Sequence, residues 1–290
     1  MLNSRDFLSK GLHLRPYVFD SIKVDRIATW DEVNSLLSSG LLDYPRIRVA
    51  AAGNVYSRNY NGFLRYSFSE RGERRPRVVP GVLRKALGDG CAIIIDNCEV
   101  FFPGVGALTE EISSSLCCQA WANLYVSPKG PSGFGCHFDD HDVFAIQIHG
   151  IKRWTIYAPT YHSPNRGDKS FHLPSPKGAP LKEYLLSTGK GLYLPFGYWH
   201  DVEAMSDISM HVTIGLDFAR KSDVLTLLLE KLTKNRFFRD KVNYSATVAE
   251  ASELKERVVH SIQELDMEML LVELRERRRE RKVGFDFPAL

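Results

Sequence analysis

Between residues 119 and 218 the chain breaks into short β-branched and aromatic runs, QAWANLYVS, GCHFD, VFAIQIHG, KRWTIYAP, GLYLP and HVTIGLDF, punctuated by Gly and Pro. Many short strands at such spacing specify a sandwich or barrel. One interruption stands apart: residues 159–182, PTYHSPNRGDKSFHLPSPKGAPLK, are rich in Pro, Ser, Gly and Lys and read as a long surface loop. In a compact domain a loop of that length usually serves function, as a lid or a substrate rim.

The flanks read differently. Upstream, Thr29-Trp30-Asp31-Glu32 has the form of a capping box, and the helix it opens places Val33, Leu36 and Leu37 on one face and stops near Gly40. Strand-like pieces follow at 46–50 (RIRVA) and 91–96 (CAIIID). Between them RYSFSERGERRPR, 65–77, reads as an exposed arginine-rich loop, and a helix is expected from about Thr109 to Cys118. After Lys221 the pattern turns helical. From about Thr247 to Arg281, Leu254, Val258, Ile262, Leu265, Met269 and Val272 recur at steps of three and four, a stripe of roughly 50 Å if continuous. Such a stripe needs a partner, either the chain's own β domain or a second subunit. The run RERRRERK at 275–282 reads as a solvated helix face, because glutamates interleave with the basic residues. The expected organisation is an N-terminal α/β segment over 1–90, a β core over 91–221 and a helical region over 222–290.

Composition narrows the class. The 290 residues are 44% hydrophobic and 25% charged, enough for one large core and a small appended unit. A net charge of +3 is too balanced for a protein that lives on nucleic acid, so nucleic acid is not an expected partner. No apolar run reaches the roughly 18 residues of a membrane span, and the start, MLNSRDFLSKGLHLRPYVFD, lacks the basic-then-apolar layout of a secretory signal. Cys91, Cys98, Cys117, Cys118 and Cys136 are odd in number and have no CxxC spacing, so reduced thiols in a cytoplasmic protein are expected.

Chemistry concentrates in Cys136-His137-Phe138-Asp139-Asp140-His141-Asp142. If this is strand, His137 and Asp139 share a face, with His141 further along it, while Asp140 and Asp142 fall on the other side. A remote third ligand is available in His200, which ends LYLPFGYWH at a strand mouth. Two histidines and one carboxylate form the facial triad of non-haem Fe(II), which leaves coordination positions open. Taken singly, each histidine reads equally well as a satisfied core residue. The joint pattern is stronger: an HxD, a second His 63 residues on, β-rich context on both sides, and Lys152 in the turn after the next strand. Trp121, Trp154, Tyr157, Tyr193, Tyr198 and Trp199 read as core, with Tyr198 and Trp199 also candidates for substrate contact.

On these residues the chain resembles the JmjC-type Fe(II)/2-oxoglutarate oxygenases, within the cupin-like group that includes the ribosomal-protein hydroxylases. The likeness runs through ANLYVSPKGPSGFGCHFDDHDVFAIQIHGIKRWTIYAP and GLYLPFGYWHDVEAMSDISMHVTIGLD. It implies a mainly β fold with α elements, a double-stranded β-helix of cupin/JmjC jelly-roll type. It implies His137, Asp139 and His200 as catalytic iron ligands, Lys152 as the cation for the distal carboxylate of 2-oxoglutarate, and Asn123, Tyr125 and His211 as residues lining the cosubstrate pocket. Fe(II), 2-oxoglutarate and O2 are the expected cofactors and co-substrates. The expected reaction is hydroxylation of an amino-acid side chain in a protein or peptide, or of a free amino acid, with release of succinate and CO2. In the ribosomal-protein hydroxylases a dimerisation region and a winged helix follow the barrel. Here the residues after 221 have room for the first and not the second, so a homodimer through the C-terminal helices is expected and a ribosomal substrate is not assumed. Two alternatives stay open: another metal-dependent cupin enzyme, which would not need Lys152, and a catalytically inactive binding protein.

Overall fold

The computed structural model describes residues 5–51, 54–57, 62–131, 134–242 and 247–279. The N-terminal region supplies α1 (Arg5–Lys10), β1 (Tyr17–Phe19), α2 (Trp30–Ser38), β2 (Ile47–Ala51) and β3 (Asn54–Ser57). It continues with β4 (Leu64–Phe68), β5 (Arg74–Val78), α3 (Pro80–Gly88), β6 (Ala92–Asp96) and α4 (Pro103–Leu116). The β core follows as β7 (Gln119–Pro131), β8 (Asp142–His149), β9 (Ile151–Tyr157), β10 (Lys182–Ser187), β11 (Gly191–Leu194) and β12 (Trp199–Asp217). The chain ends in α5 (Lys221–Leu232), α6 (Val248–Gln263) and α7 (Met267–Arg279).

The long β12 joins two sheet layers. Its first half, Trp199–Ala204, pairs antiparallel with β9, which also pairs with β10. Its second half, from Met210, pairs with β8, with a register shift between Met210 and His211, in a sheet ordered β1-β11-β8-β12-β7-β6-β2-β3. The change of partner falls at residues 205–209, where one strand passes from one layer into the other. The expected β core is therefore a jelly-roll-like double sheet. Val143, Ala145, Trp154, Ile156, Leu186, Leu192, Leu194 and Val202 pack together between its layers.

The N-terminal elements complete this core: β1 extends the sheet beside β11, and β2 pairs with β6, which pairs with β7. Phe7 of α1 is fully buried edge-on to Tyr193, with ring centroids 5.1 Å apart. The Thr29 capping box forms as the sequence specifies. Helix α4 starts six residues earlier than expected, at Pro103, whose fixed φ suits a first turn. Gly104 hides that start from a propensity reading, and packing demands it: a Cβ there would lie 1.7 Å from the Arg26 carbonyl oxygen. Residues 65–77 are a β4–β5 hairpin and not the expected loop, closed by Gly72 at φ +78°.

The chain divides into two compact units, Met1–Leu116 with Ala120–Asp217, and Cys117–Gln119 with Phe218–Leu290. In the second, Leu227 and Leu228 of α5 pack on Leu270 and Leu274 of α7. Ion pairs Lys231–Glu273, Arg277–Glu230 and Arg278–Asp223 flank that seam, so part of the basic run is paired. The C-terminal stripe is not continuous. Helix α6 ends at Gln263, and the Asp266 carboxylate accepts from the amides of Glu268 and Met269 to start α7. Cys91, Cys98 and Cys118 are buried, and Cys117 and Cys136 are half-buried.

Candidate functional site

Strand alternation builds one cavity of about 250 Å³. Trp121, Asn123, Tyr125 and Ser127 enter from β7, Lys152 and Trp154 from β9, His200 and Val202 from the first half of β12, and His211, Thr213 and Gly215 from the second. Each set follows the two-residue period of a strand, so one face of each strand supplies the lining. Gly215 is needed for space: a Cβ there would sit 2.6 Å from the Trp121 ring.

His137, Asp139 and His200 offer ligand atoms that all lie within 4.8 Å of one another. They meet at the junction of the segment before β8 with the start of β12. The GCHFD run is not a strand: only an isolated bridge joins His137 to His200, with reciprocal amide-to-carbonyl bonds of 3.0 and 2.7 Å. The Gly197 amide donates to the Asp139 carbonyl at 3.0 Å, which fixes the third position. His137 Nδ1 lies 2.8 Å from the Gly135 carbonyl oxygen and His200 Nδ1 lies 3.2 Å from that of Tyr198. A carbonyl only accepts, so both rings carry a proton on Nδ1 and leave Nε2 as the nitrogen available for ligation. Burial, then the neighbouring His137, pushes the His200 imidazole down to about 4, so it stays neutral with its lone pair free. Burial opposes ionisation of Asp139, but the His141, His137 and His200 imidazoles outweigh it and hold the carboxyl below its usual range. Two imidazoles and one carboxylate, with His200 Nε2 3.7 Å from Asp139 Oδ2, fit a divalent metal.

Lys152 is the second fixed point. Its side chain is 1% exposed, and its Nζ donates to Ser127 Oγ at 2.9 Å, a neutral partner. Among the described residues it has no ion pair. Burial pushes its ammonium down to about 7. An unpaired buried ammonium is costly, and a carboxylate entering the cavity would remove that cost. His211 is likewise buried, its Nδ1 has no partner, and burial together with Lys152 holds it neutral. Its ring stacks on Tyr125 at 4.7 Å, and burial followed by Asp96 and Asp139 pushes the Tyr125 phenol up to about 12. Asn123 reaches the cavity while its Oδ1 accepts from the Asn97 amide at 3.1 Å. All seven expected site residues therefore line one cavity.

Other expectations need correction. Trp199 is buried away from the cavity, its Nε1 donating to Thr160 Oγ1 at 2.8 Å, and the Tyr198 hydroxyl points to the Leu14 carbonyl. His141 lines the cavity as its expected face implies, but Asp140 lines it too, because a segment that is not strand does not segregate alternate residues. Asp142 is buried on the far side, accepting from the Tyr193 hydroxyl and the Phe196 amide. Gln147 is structural, donating to Ser209 Oγ and to the carbonyls of His149 and Met210. Burial followed by Asp201 raises the Cys136 thiol to about 11, which leaves it a poor nucleophile at neutral pH. Ser127 was missed although it continues the Asn123, Tyr125 alternation. Arg48, paired bidentately with Asp96, also lines the cavity, and its strand gave no such signal.

The 159–182 loop forms part of the same wall through Asp168, Lys169, Ser170 and Phe171. It is pinned there. The Asp140 carboxylate accepts from the Gly167 amide, Ser170 Oγ exchanges bonds with the Phe138 backbone, and Arg166 pairs with Asp217. Phe171 stacks over His137 at 6.4 Å. A hydrogen bond to a charged acceptor contributes about 1.5–3 kcal/mol. Asp140→Ala is therefore expected to speed hydrogen exchange at Gly167 by one to two orders of magnitude while metal affinity holds; unchanged exchange would show that Asp140 does not restrain the loop.

The fold and site define a class: a double-stranded β-helix with a two-histidine, one-carboxylate metal site at one end of its cavity. Residues 103–224 match the family model described as JmjC domain. Among its relatives is the protein named bifunctional lysine-specific demethylase and histidyl-hydroxylase NO66 of Dictyostelium discoideum, 30% identical over 190 residues, which are 64% of this chain and 35% of that protein. The same-named protein of Drosophila yakuba is 29% identical over 246 residues, covering 78% of this chain and 35% of its own length. The chain thus spans about a third of these relatives. Escherichia coli YcfD superposes with TM-score 0.61 at 18% identity, over 92% of this chain and 69% of that one. YcfD described as a ribosomal oxygenase in complex with cobalt and 2-oxoglutarate superposes with TM-score 0.59 at 17% identity, over 95% and 71%.

Proposed function

We propose that this chain is an Fe(II)- and 2-oxoglutarate-dependent dioxygenase that hydroxylates an amino-acid side chain of a protein or peptide, releasing succinate and CO2. The observation that carries the reading is Lys152: a buried ammonium with no counter-ion among the described residues, in the same cavity as the His137, Asp139 and His200 triad. A metal-only cupin has no use for it. Bound at the triad, ferrous iron with 2-oxoglutarate and O2 supplies an oxidant that turns C–H into C–OH.

The chain's own residues do the rest. His137, Asp139 and His200 would hold the metal with three ligands, a set that would leave it positions for the cosubstrate and O2. Lys152 takes the distal carboxylate of the cosubstrate and, with Ser127, fixes its depth. Neutral His211 and Tyr125 wall that end of the cavity without adding charge. Phe171 and the pinned loop shield the His137 side from water, which limits loss of the oxidant before substrate is seated. The relatives named as histidyl-hydroxylases favour a protein side chain over a free amino acid. Anaerobic titration of the apoprotein with Fe(II) and 2-oxoglutarate should give the visible metal-to-ligand charge-transfer band, lost in His200→Ala and weakened in Lys152→Ala. Bound iron with no band would overturn the reading in favour of another metal-dependent cupin.

A homodimer through the C-terminal helices belongs to the same proposal. Helix α6 has no buried residue, and Val248, Leu254, Val259 and Ile262 are exposed on it. Light scattering should give twice 32.9 kDa at micromolar concentration, and Leu254→Glu with Ile262→Glu should halve it. A monomer mass for the unaltered chain counts against the dimer. The odd number of cysteines and their lack of CxxC spacing favour cytoplasmic residence, which subcellular fractionation tests.

A further inference from the structure

Asp142 begins β8, three residues after Asp139; it is 3% exposed and does not line the cavity. A carboxylate so buried is costly unless hydrogen bonds satisfy it, and three groups converge on this one. The Phe196 amide donates to Oδ1 at 2.9 Å, the Tyr193 hydroxyl donates to Oδ2, and His13 Nδ1 lies 3.4 Å from Oδ2. We propose that Asp142 is a positioning residue for the metal site, acting through the Phe196 amide on the turn between β11 and β12. The proposal rests on the reading of His137, Asp139 and His200 as metal ligands.

That turn is where the ligands acquire their relative placement. The amide after Phe196, that of Gly197, donates to the Asp139 carbonyl at 3.0 Å. The next residue, Tyr198, has its carbonyl oxygen 3.2 Å from His200 Nδ1, and His200 exchanges main-chain bonds with His137. Three consecutive residues thus meet Asp142, Asp139 and His200 in order. The segment that carries His137 and Asp139 is not strand, and the bridge at His137 is an isolated one. Asp142, by contrast, is in the ladder, paired with Leu216 of β12. Its carboxylate therefore carries the position of the sheet to the turn, and a turn released from it would shift Gly197, Tyr198 and His200 together.

The two oxygens have separate tasks. Oδ1 takes the turn. Oδ2 takes Tyr193 of β11 and faces His13, whose own amide donates to the Tyr193 hydroxyl at 2.9 Å, so this side ties the N-terminal segment to the sheet. Loss of a bond on the Oδ2 side should cost stability alone. Loss on the Oδ1 side should also reach the metal, because groups that orient a ligand from behind set its affinity.

The test is titration of the full-length apoprotein with Co(II), read by its visible d–d band, alongside thermal melting. Asp142→Ala removes both oxygens and should weaken Co(II) binding about tenfold, the low end of the range for residues behind a ligand, and alter the shape of the band. Asp142→Asn keeps an oxygen for the Phe196 amide and should bind Co(II) within a few-fold of the unaltered chain. Tyr193→Phe loses only the Oδ2 bond; it should melt lower and bind Co(II) as the unaltered chain does. A further measurement needs no variant. Linkage is reciprocal, so saturation with Zn(II) should slow hydrogen exchange at the Phe196 amide about tenfold more than at the β6 amides. Unchanged Co(II) affinity in Asp142→Ala, or equal loss in Tyr193→Phe, would overturn the proposal, and so would a Phe196 amide no better protected than β6. A missing cobalt band in the unaltered chain would instead overturn the metal reading, and the proposal with it.

Discussion

Replacing Lys152 with methionine is expected to raise the stability of the apoprotein while weakening 2-oxoglutarate binding by at least ~100-fold, the loss that follows from breaking a buried ion pair. The two effects share one cause. The ammonium is buried against a neutral hydroxyl, so the free protein bears the desolvation of a charge that only a ligand can pair. Methionine keeps the length of the side chain and removes that charge. The pH dependence carries the sign. An unfolded lysine titrates near 10.5 and the folded one near 7, so between these values the unfolded chain holds more protons and stability rises with pH. Each pH unit in that window is worth up to ~1.4 kcal/mol. The melting-temperature gap between Lys152→Met and the unaltered chain should be widest below pH 7 and close toward pH 10. Cosubstrate affinity should run the other way, falling up to tenfold per unit above pH 7 as the free ammonium loses its proton. A variant less stable at every pH that still binds 2-oxoglutarate as tightly would refute both halves.

The sequence made the cavity more legible than the rest of the molecule because its residues follow a local rule. Asn123 and Tyr125 alternate on β7, and the same rule extended by one step reaches Ser127, the partner of Lys152. The HxD pair was found for a reason the structure revises. His137 and Asp139 sit together because an isolated bridge and the Gly197 amide hold an irregular segment, not because a strand aligns them. What stayed hidden depends on contacts distant in sequence. The β4–β5 ribbon carries arginines, Pro76 and Gly72, all weak strand signals, and is set by its register and by Asp43. Arg48 reaches the cavity through the pairing of β2 with β6, which no local pattern announces. The break between α6 and α7 was different: Asp266 is a capping residue in plain view, and the regularity of the apolar stripe masked it.

Asp139→Asn carries the other large expected effect: loss of at least ~100-fold in metal affinity, since even residues one layer behind a ligand change affinity 10–100-fold. Anaerobic calorimetry with Fe(II) measures it. The substitution preserves shape and leaves the Gly197 bond intact, because that bond is made to the Asp139 main chain. What it removes is the single charge among the three ligands, leaving two imidazoles and an amide oxygen that donate weakly to a hard divalent ion. Asp140 cannot substitute, although it is adjacent and lines the same cavity. Its carboxylate is held by His141 Nδ1 and the Gly167 amide, which outweigh burial and bring it down to about 2, so it is ionised and already engaged. Asp140→Asn should therefore keep metal affinity within a few-fold of the unaltered chain. If Asp139 served only to balance the charge of His141, the pattern would reverse, with Asp139→Asn lowering stability and sparing the metal. Comparing the two variants by calorimetry and by thermal melting separates a ligand from a counter-ion.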